Sequence, residues 1–297
     1  MSNIPAIELI DGAHIPQLGF GVFQIEPEKT AAAVRAALEI GYRHIDTAQM
    51  YGNEKEVGQG IRDAGLDRAD VFVTSKLNNG FHQPDDARRA FAKTLSALES
   101  DYVDLFLIHW PLPTLYGGDF VSTWQVLEEF ARDGRARSIG VSNFQPAHLD
   151  RLAKESDTVP AVNQVEVHPY FANDQVRAYG KEHGIATEAW SPIAQGKGPR
   201  RPGHRANRRR SRQVPRTGCV ALAHSAPRHR IPQVSVTGSD EVEFRVVRLR
   251  TGHLRYVRDL GPRPRRSREN RPQSRRVRLH TRLADHQEQR MRQMFHV

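Results

Sequence analysis

Two side chains that can hold or move a proton sit five residues apart in one short stretch. In Gly41-Tyr42-Arg43-His44-Ile45-Asp46-Thr47-Ala48-Gln49-Met50-Tyr51-Gly52-Asn53-Glu54, the carboxylate of Asp46 falls near the end of an alternating polar and apolar run, and Tyr51 follows in a turn. Two more such groups end later segments. Lys76 closes Val71-Phe72-Val73-Thr74-Ser75, and His109 closes Asp104-Leu105-Phe106-Leu107-Ile108 before Trp110 and Pro111. A carboxylate at a strand end with a phenol just beyond it is a catalytic arrangement if a cation and a cofactor join them. Each residue also has a structural reading. Tyr51 could pack under a loop and Asp46 could cap a helix. Lys76 could reach solvent or be buried beside an acid. Three successive strands ending in groups of this type favour the chemical reading.

The elements that must position these groups recur along the chain. Strands are expected over 18–23, 42–48, 71–76, 104–110, 138–143, 162–167 and 186–190. Helical spacing covers 28–40, 55–64, 85–98, 121–133, 146–153 and 174–183, and Gly134 marks a helix stop. Alternating strands and helices argue for a parallel sheet with helices outside. Seven strands are legible, whereas a (β/α)8 barrel needs eight. Asp11-Gly12 marks a hairpin ahead of the first of them. Gly19-Phe20-Gly21 is too short to be a nucleotide fingerprint by itself.

These segments resemble the aldo-keto reductases from about residue 4 to residue 197. Ile15-Pro16-Gln17-Leu18-Gly19-Phe20-Gly21-Val22-Phe23 and Val159-Pro160-Ala161-Val162-Asn163-Gln164 are most similar to the bacterial 2,5-diketo-D-gluconate reductase branch. The resemblance implies a (β/α)8 TIM barrel whose N-terminal hairpin plugs the bottom, with a catalytic tetrad of Asp46, Tyr51, Lys76 and His109 at the C-terminal rim. Tyr51 would be the general acid in carbonyl reduction and the base in alcohol oxidation. A free phenol, with a pKa near 10, is a poor donor at neutral pH, so Lys76 is expected to lower that pKa. Asp46 would keep Lys76 charged and in place, and His109 would orient the substrate oxygen. The resemblance further assigns Ser142, Asn143 and Gln164 to the nicotinamide carboxamide, Trp190 to its ring face, and Ser191 and Gln195 to the pyrophosphate. Phe23 and Trp110 would wall an apolar substrate pocket. The implied cofactor is NADPH and the implied substrate a small carbonyl compound, a keto-sugar acid among the options. In the alternative reading of the same barrel it binds nucleotides without catalysis.

Composition divides the chain near residue 197. Residues 1–197 carry 18 Lys+Arg and 27 Asp+Glu, and residues 198–297 carry 26 Arg, no Lys and 7 Asp+Glu. The family's eighth strand, with its Lys-Ser phosphate clamp, is missing from the second part as written. Three readings compete: nucleic-acid binding through the basic tail, a disordered tail, and a shift of reading frame near residue 198. The last is preferred. Ile231-Pro232-Gln233-Val234 can be encoded so that a one-base shift spells Phe-Pro-Lys-Ser, a string the family carries at this place. If the chain exists as written, the first and seventh strands are expected to expose unpaired edges; no nucleic-acid partner is expected. The lone Cys219 excludes an intrachain disulfide. His spacing and the absence of a Cys cluster point to no metal site. The N-terminus has no signal-peptide pattern and no run reaches membrane-spanning length, so the expectation is a cytoplasmic protein; a monomer is expected as well.

Overall fold

The computed structural model describes residues 4–192 and three later strands, 218–223, 235–236 and 244–245. The chain divides into two compact units, Met1–Leu249 and Arg250–Val297, and every described residue lies in the first. A hairpin of β1 (Ala6–Glu8) and β2 (His14–Pro16) comes first. Seven strands follow: β3 (Leu18–Gly21), β4 (His44–Asp46), β5 (Phe72–Leu77), β6 (Val103–Ile108), β7 (Ala136–Ser142), β8 (Val162–Glu166) and β9 (Ala186–Trp190). They pair in parallel in chain order. Six helices alternate with them: α1 (Pro27–Ile40), α2 (Glu54–Asp63), α3 (Pro84–Leu98), α4 (Val121–Arg132), α5 (Pro146–Glu155) and α6 (Asp174–Glu182).

The sheet closes into a barrel. A further strand, β10 (Gly218–Ala223), runs antiparallel to both β3 and β9 and fills the gap between them. The expectation of exposed edges on the first and seventh strands is therefore corrected. Open edges leave rows of unpaired amides and carbonyls. Within the basic segment, Gly218-Cys219-Val220-Ala221-Leu222-Ala223 is an uncharged run able to pair with them. β11 (Ser235–Val236) and β12 (Phe244–Arg245) form a separate antiparallel pair. The rest of the composition-defined tail lies outside the described residues, as does the Lys-Ser reading at 231–234 apart from its surroundings.

Burial explains why these segments take these forms. β6 is buried at every position, as a parallel strand covered on both faces must be. Thr30, Val34, Ala37 and Leu38 make the buried stripe of α1 at helical spacing. Pro27 starts that helix, and Gly41, at φ 119°, ends it. The main core lies between strands and helices, with Phe91, Phe106 and Phe130 stacked within it. A second cluster sits inside the barrel. There Leu9 and Ile15 of the hairpin segment meet Leu105, Leu107, Ala161 and Val162. The hairpin thus closes the end of the barrel opposite the rim where Asp46, Lys76 and His109 stand.

β4 is shorter than the expected 42–48. The Tyr42 amide is bonded back to Ala37 O at the end of α1, and Ala48 O accepts the Tyr51 amide to open a short 3-10 turn. The ladder is left with His44–Asp46.

Candidate active site

Asp46 is the last residue of β4, Lys76 the next to last of β5, and His109 directly follows β6. Parallel strands in register bring these C-terminal ends to one rim. The turn Gln49–Tyr51 carries the phenol. Two side chains fix that turn. Gln49 donates to Thr94 Oγ1 at 2.9 Å and accepts the Asn78 amide at 2.7 Å. Asn53 accepts from Thr47 Oγ1 at 3.1 Å and donates to the Val22 and Ile25 carbonyls at 3.2 Å each.

Lys76 is fully buried. Its Nζ donates to both Asp46 oxygens, at 2.7 and 2.9 Å, and to Thr47 O at 2.9 Å. The Tyr51 hydroxyl lies 3.4 Å from the same nitrogen. Gln164 Nε2 donates to Asp46 Oδ2 at 2.7 Å. The His109 ring stands edge-on to Tyr51 with centroids 6.0 Å apart, and the Phe23 ring packs against Tyr51 with centroids 5.0 Å apart. Trp110 is buried immediately after His109. The four expected tetrad residues are therefore neighbours, and both expected pocket residues lie close to them.

Electrostatics sets their charges. Desolvation pulls the Lys76 pKa down, but the acidic groups around it, Asp46 foremost, outweigh it and hold the ammonium charged. Desolvation raises the Tyr51 pKa above 10.0, and the opposing pull of Lys76 is smaller. Lys76 does pull the phenol's pKa down, as expected, but burial outweighs that pull and the net shift is upward. Desolvation, then Lys76, pushes His109 well below 6.5, so its imidazole is neutral. Its Nδ1 is buried without a partner among the described residues.

The expected cofactor residues form a connected ledge beside this cluster. Ser142 ends β7 and donates to Gln164 O at 2.8 Å. Asn143, at φ 64°, donates to His109 O and to Ser142 Oγ at 3.0 Å each, and accepts from Trp190 Nε1 at 3.0 Å. Trp190 ends β9, and Ser191 follows it at φ 51°. Gln195 lies outside the described residues. This donor and acceptor set, next to a partly exposed indole, has the chemistry to take a planar ring bearing a carboxamide. The amides of Asn143 and Gln164 are bonded internally, so a ligand carboxamide would replace one of those bonds with another of the same kind.

Sequence reasoning missed three residues. Glu54 is buried against Ser75 Oγ at 2.5 Å, Asn53 holds the Tyr51 turn, and Glu188 is buried in β9. Glu54 and Asn53 read as the start of a surface helix. Glu188 sits in Ala186-Thr187-Glu188-Ala189-Trp190, where alternation alone does not say which side faces inward. Among the described residues no group of three or more His, Cys, Asp or Glu could hold a metal ion. No described helix is long and apolar enough to cross a membrane.

A closed β/α barrel with a buried ammonium and carboxylate and a half-buried phenol at its C-terminal rim defines a class of barrel whose polar groups converge where substrates enter. Comparison narrows this to a family. The chain belongs to the aldo/keto reductase family, whose sequence model matches residues 17–230 and so runs beyond residue 197. It is 50% identical over 189 residues to morphine 6-dehydrogenase of Pseudomonas putida, taking in 64% of this chain and 63% of that protein. It is 43% identical over 196 residues to methylglyoxal reductase of Escherichia coli K12, taking in 66% and 70%. Among solved structures, an aldo/keto reductase from Brucella melitensis superposes with a TM-score of 0.63 at 49% identity, covering 65% of this chain and 74% of the other. A Bombyx mori aldo-keto reductase in complex with NADP gives 0.61 at 38%, covering 64% and 67%. The chain thus spans a little under two thirds of morphine 6-dehydrogenase and somewhat more of the others.

Proposed function

We propose that this protein reduces an aldehyde or ketone to the alcohol, using NADPH. The observation that carries the proposal is the position of Lys76, fully buried, bonded to both Asp46 oxygens and 3.4 Å from the Tyr51 hydroxyl. NADPH, when bound, supplies the hydride. Asn143, Gln164 and Ser142 would hold its carboxamide, and Trp190 would cover one ring face.

The chain's own residues supply the proton. Tyr51 stays protonated at neutral pH because its pKa is raised. As the substrate oxygen gains negative charge, Tyr51 donates to it, and the phenolate that remains faces the Lys76 ammonium. That cation is fixed before reaction, so its stabilisation needs no rearrangement. His109, being neutral, can donate one hydrogen bond to the carbonyl oxygen without competing for the proton. Phe23 and Trp110 would keep water from the reacting atoms.

Small carbonyl compounds are the substrate class we propose, keto-sugar acids of the diketogluconate type among them. A relative named methylglyoxal reductase supports small size. Purified protein should oxidise NADPH in the presence of methylglyoxal or 2,5-diketo-D-gluconate. NADPH binding with no turnover across aldehydes, ketones and diketones would overturn the reading.

A further inference from the structure

Glu188 lies inside the barrel with no solvent exposure. Neither of its carboxylate oxygens has a hydrogen bond of regular geometry among the described residues. His44 of β4 stands next to it, with Nε2 3.8 Å from Glu188 Oε1. That nitrogen is already engaged with Thr74 Oγ1 at 2.9 Å, and His44 Nδ1 has no hydrogen bond of regular geometry among the described residues. A buried carboxylate left this way should not carry a charge. The register places Glu188 beside Gln164, and the Gln164 side chain faces it. The same amide donates to Asp46 Oδ2. Gln164 therefore stands between two carboxyl groups that compete for one amide and, through space, for one ammonium.

We propose that Glu188 is a positioning residue: as a neutral acid beneath the Lys76–Asp46 pair, it leaves Gln164 and Lys76 to Asp46 and keeps a second negative charge away from Tyr51. Its use in catalysis rests on the reductase reading above, but its protonation state does not. The groups facing it from the described elements are His44 and Asp46 of β4, Lys76 of β5, Gln164 of β8 and, at longer range, Tyr51. Desolvation, reinforced by Asp46, raises the Glu188 pKa to about 8, against the weaker pulls of Gln164 and Lys76. His44 is driven the other way by burial, to about 4, so it stays neutral while Glu188 titrates.

The sign of the linkage follows. Unfolded, Glu188 loses its proton near 4.5; folded, it keeps it to about 8. The stabilisation is complete below 4.5 and is lost as pH rises to about 8. His44 contributes in the opposite direction, but only below its ordinary value of 6.5. The window from 6.5 to 8 therefore isolates Glu188.

The experiment compares the full chain with Glu188→Gln. Between pH 6.5 and 8 the wild-type folding constant should fall about tenfold per pH unit relative to the variant. Ultraviolet titration of each protein, referenced to its own Tyr51→Phe counterpart, should show Tyr51 ionising at lower pH in Glu188→Gln, because Tyr51 ionises above 10, where the wild-type Glu188 has become charged and the Gln has not. Should Glu188→Gln fail to fold, the infrared band of a protonated carboxylic acid in the wild type decides, and it should persist at pH 7 and vanish above about 8. A pH-independent difference in stability, an unshifted Tyr51 titration, or no such band at pH 7 would each overturn the proposal. Absence of carbonyl-dependent turnover with these results intact overturns only the reductase reading.

Discussion

Lys76 is the residue whose loss should reach furthest. Replacing it with Met keeps much of its length but leaves Asp46 buried with Gln164 as its only side-chain donor among the described residues. Breaking a buried ion pair from one side costs about 3–5 kcal/mol, so chemical denaturation of Lys76→Met should show a loss of that size. Asp46→Asn strands the ammonium instead and should cost a similar amount. His109 makes a prediction of the opposite kind. Because burial and Lys76 keep it neutral, the rate of carbonyl reduction should show no acidic limb near pH 6.5; a clear titration there would contradict the role assigned to it. Asp46, Lys76 and His109 stood out in the sequence because each lies at or just beyond the end of a strand pattern; Tyr51 in its turn, and the grouping of all four, came from the resemblance to the aldo-keto reductases. The net pKa of Tyr51 was not legible, since it depends on how closely Lys76 approaches and how much water is excluded.

At the scale of elements, α2 lies so close to α3 that one hydrogen decides the packing. A Cβ on Gly58 would stand 2.4 Å from the backbone oxygen of Leu98. In an exposed helix, Gly→Ala stabilises by about 1 kcal/mol. Here the contact is with backbone that cannot swing aside, so Gly58→Ala should destabilise by about 1–3 kcal/mol through overpacking, read as a lower melting temperature. Gly19 is pinned similarly, with His44 Nδ1 at 2.6 Å from its would-be Cβ. Such glycines stand in the sequence as ordinary members of Glu54-Lys55-Glu56-Val57-Gly58 and Leu18-Gly19. Only the partner from a distant segment gives them meaning. The order of helices and strands was readable because periodicity is local. The ends of β4 were not, because the Tyr42 amide bonds back to Ala37 O of α1 and the Tyr51 amide to Ala48 O in its own turn, and the strand is confined between them.

At the scale of the whole molecule, closure of the sheet depends on a segment from the basic part. Nothing local announced β10 except a break in the arginines, and its antiparallel direction departs from the pattern of the seven strands before it. Truncation at Lys197 removes it and opens the edges of β3 and β9. The shortened chain should self-associate, seen by light scattering as species larger than the full chain; a monodisperse truncated form would show that the closure is dispensable. The central claim, that Tyr51 gives its proton to a carbonyl while Lys76 holds the charge left behind, has its most direct test in one paired measurement. Carbonyl-dependent NADPH oxidation and NADPH affinity are compared in the wild type and in Tyr51→Phe. The account predicts that turnover falls by about 10²–10⁴-fold, the range of general acid catalysis, with affinity little changed. A Tyr51→Phe protein that still reduces its substrate at the wild-type rate would contradict it.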